Sequence, residues 1–150
     1  MAAVEHNNIF NRDIKTLLDI GANRGQFSLA AISQKPDLKI FAFEPLSTPL
    51  KIFEEIFKNH TNVKIFDYAL GDFNKEVDMH VSSKDDSSSI LKIAPLQTEH
   101  FPGTEETGLT KIKVAPLNHL ISNKEIISPA LLKLDVQGFE LRLLSILQVE

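Results

Sequence analysis

The stretch LLDIGANRGQF, Leu17–Phe27, decides the fold. An apolar run reaches Asp19 and leads into a loop with glycines at positions 21 and 25. The residues that follow place Phe27, Ala30 and Ala31 at the i, i+3, i+4 spacing of one helix face. A buried strand, a glycine turn and a helix in this order are typical of a ligand-binding turn in an α/β domain.

Length and composition fit one globular domain. The chain has 150 residues, of which 43% are hydrophobic and 24% charged, and we interpret residues 1–150 as a single domain. The net charge of −4 gives no electrostatic reason to expect a nucleic-acid partner. No apolar run approaches the roughly 20 residues that span a bilayer, so no membrane partner is expected. The absence of cysteine excludes disulfides and thiolate metal sites, and a cytoplasmic protein is the expectation.

Four apolar segments predict the strands of a parallel sheet. They are TLLDI (16–20), KIFAFEP (39–45), VKIFDYAL (63–70) and LLKLD (131–135). Helices are predicted between the first three, the second of them capped by Ser47 or Thr48 with Phe53 and Phe57 facing inward. Short helical crossovers between such strands imply an α/β, doubly wound Rossmann-like sheet. A last helix is predicted after residue 138.

The segment from residue 73 to residue 117 has a different texture. KEVDMHVS (75–82) and SSILKI (88–93) flank a polar turn and predict a hairpin or two short strands. Residues 97–109 lack periodicity and predict a loop, and TKIKVAPL (110–117) predicts another short strand.

Acidic residues recur where the predicted parallel strands end. Asp19, Glu44, the segment 67–72 and Asp135 all lie at such ends, where open α/β sheets bind their ligands. A dinucleotide site is disfavoured, because Asn23 stands where the G-x-G-x-x-G motif needs its second glycine. An aspartate before the turn also has the wrong sign to face phosphates.

S-adenosylmethionine makes demands that these residues meet better. It carries no phosphate, and Asp19 suits its cationic methionine end, directly or through water. Gly21 and Gly25 allow a close approach of the backbone to the ligand, and Glu44 can accept hydrogen bonds from the ribose hydroxyls. The simpler alternatives are a glycine turn without a ligand and a solvated acid at the end of a strand.

Five segments carry a resemblance to a known family. DIGANRGQFSL, FAFEP, ALGD, DDSSSIL and LLKLDVQGFEL occur in this order, and together they resemble the FkbM family of S-adenosylmethionine-dependent methyltransferases over about residues 16–147. The resemblance implies the seven-strand methyltransferase fold and O-methylation of a hydroxyl group on a small molecule or glycan. It also implies cofactor-binding roles for a set of residues, namely Asp19, Gly21, Asn23, Gly25, Glu44, Ala69, Leu70 and Asp72. Asp135 is placed at the reacting centre as the candidate catalytic residue.

The chain departs from the family pattern in two places. Asn118 replaces an acid that family members commonly carry before the fourth parallel strand. The family fold continues past the fourth parallel strand and its helix through three more strands, so we expect a sheet that lacks the last strands of the seven-strand fold. An exposed edge on the strand 131–135 then predicts self-association into a homo-oligomer.

The choice of a general base stays open among Asp135, Glu140, His100 and His119. Lys133 is unusual in the middle of an apolar strand, and we expect its side chain to reach the edge of the sheet instead. No cluster of side chains has the spacing of metal ligands. An alternative to the enzyme is a cofactor-binding or interaction module that has lost turnover.

Overall fold

The computed structural model describes residue 10, residues 12–82 and residues 106–136. The strands within these ranges are β1 (Thr16–Ile20), β2 (Lys39–Phe43), β3 (Val63–Phe66), β4 (Ala69–Leu70), β5 (Lys75–Ser82), β6 (Glu106–Ala115) and β7 (Ala130–Leu134). The helices are α1 (Gln26–Gln34), α2 (Ser47–Phe57), α3 (Leu117–Leu120) and a 3₁₀ helix (Asn123–Glu125).

Strands β1, β2, β3 and β7 form a parallel sheet with the order β3-β2-β1-β7. The chain proceeds from β1 through β2 to β3 on one side and returns to place β7 on the other side of β1. Ligands of open α/β sheets bind where the strand order reverses in this way, here between β1 and β7. The predicted parallel, Rossmann-like sheet is confirmed.

Apolar side chains cover both faces of this sheet. Leu17 and Ile40 pack on one face in a cluster that includes buried residues of α1 and α2. Leu18 and Phe41 pack on the opposite face in a cluster that includes Leu70 of β4. Since successive side chains of a strand point to opposite faces, central strands covered on both sides read as continuous apolar runs. Because β1 and β2 are covered on both faces, their continuous apolar runs were enough to predict both strands from the sequence.

The prediction of a single third strand over residues 63–70 was wrong in its length. The run 63–70 divides at Asp67, and its last two residues, β4, pair with β6 in a second sheet with the order β4-β6-β5. Asp67 is exposed and forms an ion pair with Lys113 of β6 at 2.6 Å. Leaving the parallel sheet at this point lets Leu70 cover the apolar face that contains Phe41.

The second sheet also corrects the loop predicted for 97–109. Residues 106–109 belong to the ten-residue strand β6, which pairs antiparallel with β5 along most of its length. The predicted strand β5 is therefore confirmed, with β6 as its partner. The segment 88–93 and the helix predicted after residue 138 lie outside the described residues.

Helix α2 begins differently from the prediction. Its N-cap is Leu46, and Ser47 and Thr48 lie inside the helix without a side-chain capping bond. A carboxylate oxygen of Glu44 accepts a hydrogen bond from the Leu46 N–H at 2.9 Å instead. An acid at the end of β2 thus satisfies a backbone donor where the helix starts, which is where negative charge is favoured.

None of the helices in the described ranges is long and apolar enough to cross a membrane. In the same ranges β7 pairs only with β1, and self-association through its other edge stays a prediction.

Candidate functional site

The carboxyl ends of β1, β2 and β7 bring the predicted site residues together. Asp19 lies one residue before the end of β1, Glu44 follows β2 directly, and Asp135 follows β7 directly. Asp19 is in register with Lys133 on β7, so the lysine lies on the same edge as the three acids. The loop 21–25 connects β1 to α1 and borders all of them.

Gly21 has the backbone conformation and the surroundings that only glycine tolerates. Its φ is +72°, and a Cβ atom added there would lie 1.9 Å from the carbonyl oxygen of Asp135. The N–H groups of Gly21 and Ala22 both donate to the carbonyl oxygen of Phe43, at 3.0 Å each. The structure shows a close contact of this glycine with the backbone just after β7, and the predicted close approach to a ligand stays a prediction.

Gly25 serves the packing of two helices. Its φ is +85°, and an added Cβ would lie 2.7 Å from the rings of both Phe53 and Phe57 on α2. Gly25 is also the N-cap of α1, and its N–H donates to the carbonyl of Ala22 at 2.9 Å. A side chain at this position would push α1 and α2 apart.

Asn23 lies between the glycines, also in a left-handed conformation with φ of 51°. Asparagine is one of the few residues that adopt this conformation readily. Its N–H donates to a carboxylate oxygen of Glu44 at 2.9 Å. Its side-chain Oδ1 is buried and has no hydrogen-bond partner, so an acceptor of the loop is left without a donor.

Glu44 ties two loops together. Its residue surface is only 6% exposed, and its two carboxylate oxygens accept from the N–H groups of Asn23 and Leu46. Burial raises the pKa of the Glu44 carboxyl above its ordinary value, although the two N–H donors and the Lys133 ammonium act in the opposite direction. Each oxygen keeps capacity for a further donor, because a carboxylate offers about four lone-pair positions.

Asp19 is completely buried. Its Oδ2 accepts a hydrogen bond from the Ser28 hydroxyl of α1 at 2.6 Å, and its Oδ1 lies 3.1 Å from the Lys133 ammonium. Oδ2 is therefore hydrogen-bonded, whereas Oδ1 has the Lys133 ammonium nearby as its counter-ion but makes no hydrogen bond.

Lys133 reaches the edge of the sheet, as expected from its place in an apolar strand. Its ammonium donates to the carbonyl oxygen of Gly21 at 2.6 Å, besides its ion pair with Asp19. It also lies 3.7 Å from Oδ2 of Asp135. The sequence indicated that Lys133 is unusual, because it is a charged residue within an apolar run. It did not indicate that Gly21, Asp19 and Asp135 are its partners.

Asp135 presents the most accessible carboxylate of the group. Its side chain is 60% exposed, whereas its N–H donates to the carbonyl of Ile20 at 3.0 Å. The backbone of Asp135 is thus held against β1 while its side chain faces outward.

Residues 19–149 match the family model of the methyltransferase FkbM domain. The chain belongs to the FkbM methyltransferase domain family. Its fold is similar to the crystal structure of the methyltransferase FkbM from Methylobacillus flagellatus KT, with a TM-score of 0.56 and 17% sequence identity. That similarity covers 88% of this chain and 28% of that one.

A weaker similarity is to the precorrin-6y C5,15-methyltransferase from Geobacter metallireducens GS-15, with a TM-score of 0.39 and 22% identity, covering 47% of this chain and 46% of that one. No curated protein sequence matches the chain. The resemblance and the fold class expected from the sequence are confirmed by the family match.

After β3 the chain of this FkbM domain turns away from the parallel sheet, and this turning segment contains Ala69 and Leu70 of β4 and then Asp72. Leu70 is 2% exposed and belongs to the same apolar cluster as Ile20 and Phe43, the last residues of β1 and β2. This turn therefore lies beside the strand ends, with Ala69 half-buried and Asp72 exposed. Their predicted contact with the adenine stays a prediction.

Of the other candidate bases, one lies on α3 and two lie outside the described residues. His119 is exposed on α3, next to Asn118, which is also exposed. His100 and Glu140 lie outside the described ranges. Of the four candidates, Asp135 is the one that the described structure places at the edge of the sheet with Gly21 and Lys133.

Proposed function

We propose that this FkbM domain is an S-adenosylmethionine-dependent O-methyltransferase that acts on a hydroxyl group of a small molecule or glycan. Family membership supports the methyl transfer. The hydroxyl acceptor rests on the family resemblance of the sequence motifs, and the cofactor rests on the hydrogen bonding of the glycine loop.

The choice of cofactor depends on one observation, which is where the backbone N–H groups of the loop 21–25 donate their hydrogen bonds. The N–H groups of Gly21, Ala22, Asn23 and Gly25 all have acceptors within the protein. Loops that bind a pyrophosphate or a nucleoside triphosphate direct such N–H groups at the phosphates. In this loop those four N–H groups already donate to acceptors within the protein, which supports a cofactor without phosphate.

The same edge also offers hydrogen-bond acceptors. Glu44 and Asp135 supply carboxylates, and Asn23 supplies a buried side-chain oxygen without a donor. S-adenosylmethionine carries an ammonium group, a sulfonium and ribose hydroxyls, so most of its recognition elements are donors or positive charges. An edge rich in acceptors fits this ligand better than it fits a dinucleotide.

Glu44 and Asp135 have distinct proposed tasks. When bound, the cofactor supplies a methyl group activated by the sulfonium. Glu44 would hold the ribose hydroxyls, because its oxygens already face the loop and retain lone pairs. Asp135 would orient the acceptor hydroxyl and take up its proton, because its carboxylate is exposed beside the loop.

Calorimetric titration tests the cofactor. We expect S-adenosylmethionine and S-adenosylhomocysteine to bind, and NAD⁺ and NADH not to bind. Tight binding of a nicotinamide cofactor without a response to S-adenosylmethionine would overturn the proposal. Binding of S-adenosylmethionine without methyl transfer to any hydroxyl acceptor would favour the non-catalytic module instead.

A matched pair of glutamate variants tests the proposed site. Glu44→Gln keeps the size of the side chain but removes the negative charge, and we expect the affinity for S-adenosylhomocysteine to fall by about 10-fold or more, as for the loss of a hydrogen bond to a charged group. Glu54→Gln on the exposed surface of α2 should bind as the unmodified chain does. Equal affinities of the two variants would remove Glu44 from the site.

A further inference from the structure

Lys133 is a half-buried cation that the proposed chemistry does not use. Its side chain is 18% exposed, and it projects from an otherwise apolar strand. Its ammonium contacts a carbonyl oxygen of the glycine loop and two carboxylates, those of Asp19 and Asp135. Burying most of a lysine costs free energy unless such partners are present, so these contacts define its role.

The contact with Gly21 has the character of a specific restraint. At 2.6 Å it is a short, charge-assisted hydrogen bond, the stronger class of such bonds. It fixes the carbonyl end of the peptide group that joins Gly21 to Ala22. The N–H end of the same peptide group, on Ala22, donates to the carbonyl of Phe43 at 3.0 Å. The two bonds together hold the plane of this peptide.

The contact with Asp19 explains why that acid is buried. Asp19 is fully buried, and its oxygens face the Ser28 hydroxyl and the Lys133 ammonium. Asp19 therefore holds Lys133 in place beneath the loop, and its charge is balanced within the protein. The Asp135 carboxylate, by contrast, is 60% exposed.

We propose that Lys133 is a positioning residue of the cofactor site, which acts by holding the carbonyl of Gly21 so that the loop 21–25 keeps the turn that receives the cofactor. In this arrangement Asp19 acts through Lys133 rather than on the ligand. The inference rests on the proposed function, because it assigns the loop to S-adenosylmethionine.

The rival explanation is that Lys133 only neutralises the buried Asp19. The double variant Asp19→Asn/Lys133→Met separates the two, because it removes the buried charge together with its counter-ion. The single variant Lys133→Met leaves a buried carboxylate without a cation and is expected to unfold more easily. Lys51→Met on the exposed surface of α2 is the matched control.

Two measurements on the double variant decide the question. Amide hydrogen exchange reports the loop without any ligand, and we expect exchange at Ala22 and Asn23 to rise about 10-fold while exchange at Phe41 in β2 stays unchanged. Calorimetry should show a comparable loss of affinity for S-adenosylhomocysteine. Lys51→Met should match the unmodified chain in both.

The outcomes distinguish this inference from the proposed function. Unchanged exchange at Ala22 and Asn23 in the double variant would overturn the positioning role, whatever the cofactor. Raised exchange with unchanged affinity would also overturn it, since the loop would then not need its turn to bind. If the unmodified chain binds neither S-adenosylmethionine nor S-adenosylhomocysteine, the proposed function fails, and the cofactor-positioning role fails with it even if the exchange of the loop rises.

Discussion

Replacing Gly21 by alanine should separate the ends of β1 and β7. The added Cβ would lie 1.9 Å from the carbonyl oxygen of Asp135, which is backbone and cannot rotate away. Since non-bonded Cβ contacts essentially never fall below 3.0 Å, β7 has to move by about 1 Å or more. The substitution therefore tests whether the two strand ends meet as described.

The cost can be worked out from three contributions. A left-handed conformation costs a residue with a Cβ roughly 1–2 kcal/mol. Displacing β7 weakens the hydrogen bond from the Asp135 N–H to the Ile20 carbonyl, which is worth about 1 kcal/mol. The Lys133 bond to Gly21 is strained as well. We expect a total loss of about 2–4 kcal/mol in the free energy of unfolding, which corresponds to a fall in Tm on the order of 5–15 °C for a chain of this size.

Denaturant unfolding followed by circular dichroism measures this loss, and Gly108→Ala is the matched control. A Cβ added at Gly108 meets no atom within 4 Å, so alanine there should change the free energy of unfolding by less than about 0.5–1 kcal/mol. If Gly21→Ala were as stable as Gly108→Ala, the close contact between the loop and the end of β7 would be refuted.

Three further predictions concern the core and the acids. Because burial raises the pKa of Glu44, protonation of this carboxyl stabilises the folded state below the ordinary glutamate pKa, and that contribution is lost as the pH rises through the raised pKa. The affinity for S-adenosylhomocysteine should change in the opposite sense and fall as the pH is lowered through the raised pKa. Calorimetry of Glu44→Gln should show no such pH dependence of the affinity. Phe53→Ala removes a fully buried ring and should cost about 3–5 kcal/mol in denaturant unfolding, whereas Ile52→Ala on the exposed side of α2 should cost under about 1 kcal/mol. Ser28→Ala removes the hydroxyl donor of the buried Asp19 and should cost about 1.5–3 kcal/mol; a loss below about 0.5 kcal/mol would contradict the hydrogen bond at 2.6 Å.

The central part of the sheet was predictable because its sequence signal is unambiguous. Strands β1 and β2 are buried on both faces, so their apolar runs reflect burial directly. The break after β3 was not predictable, because VKIFDYAL stays apolar on both sides of Asp67 while its halves join different sheets. The partner of β6 also depends on pairing across more than 20 residues, which local patterns do not encode.

The sequence predicted which acids lie at the ends of the parallel strands, but not how these acids are arranged. Strand-end acids are visible in the sequence, because the carboxyl ends of parallel strands meet at one edge. Their burial is not visible, and it is burial that distinguishes the enclosed Asp19 from the exposed Asp135. The sequence marks Lys133 only as a charged residue within an apolar strand. Its hydrogen bond to Gly21 could not be predicted, because the two residues are 112 positions apart.

The chemistry of the edge follows from which groups the protein has already paired. Four backbone donors of the glycine loop are bonded internally, and Asp19 is enclosed by Ser28 and Lys133. Among the described residues of this edge, the acceptors not fully hydrogen-bonded are the spare lone pairs of Glu44, the Oδ1 atoms of Asn23 and Asp19, and the carboxylate of Asp135. A ligand that binds by accepting hydrogen bonds would find few partners here, whereas one that donates them and carries positive charge finds several. On the proposed function, we therefore expect the four paired N–H groups of the loop to disfavour a phosphate ligand, while its two glycines serve packing.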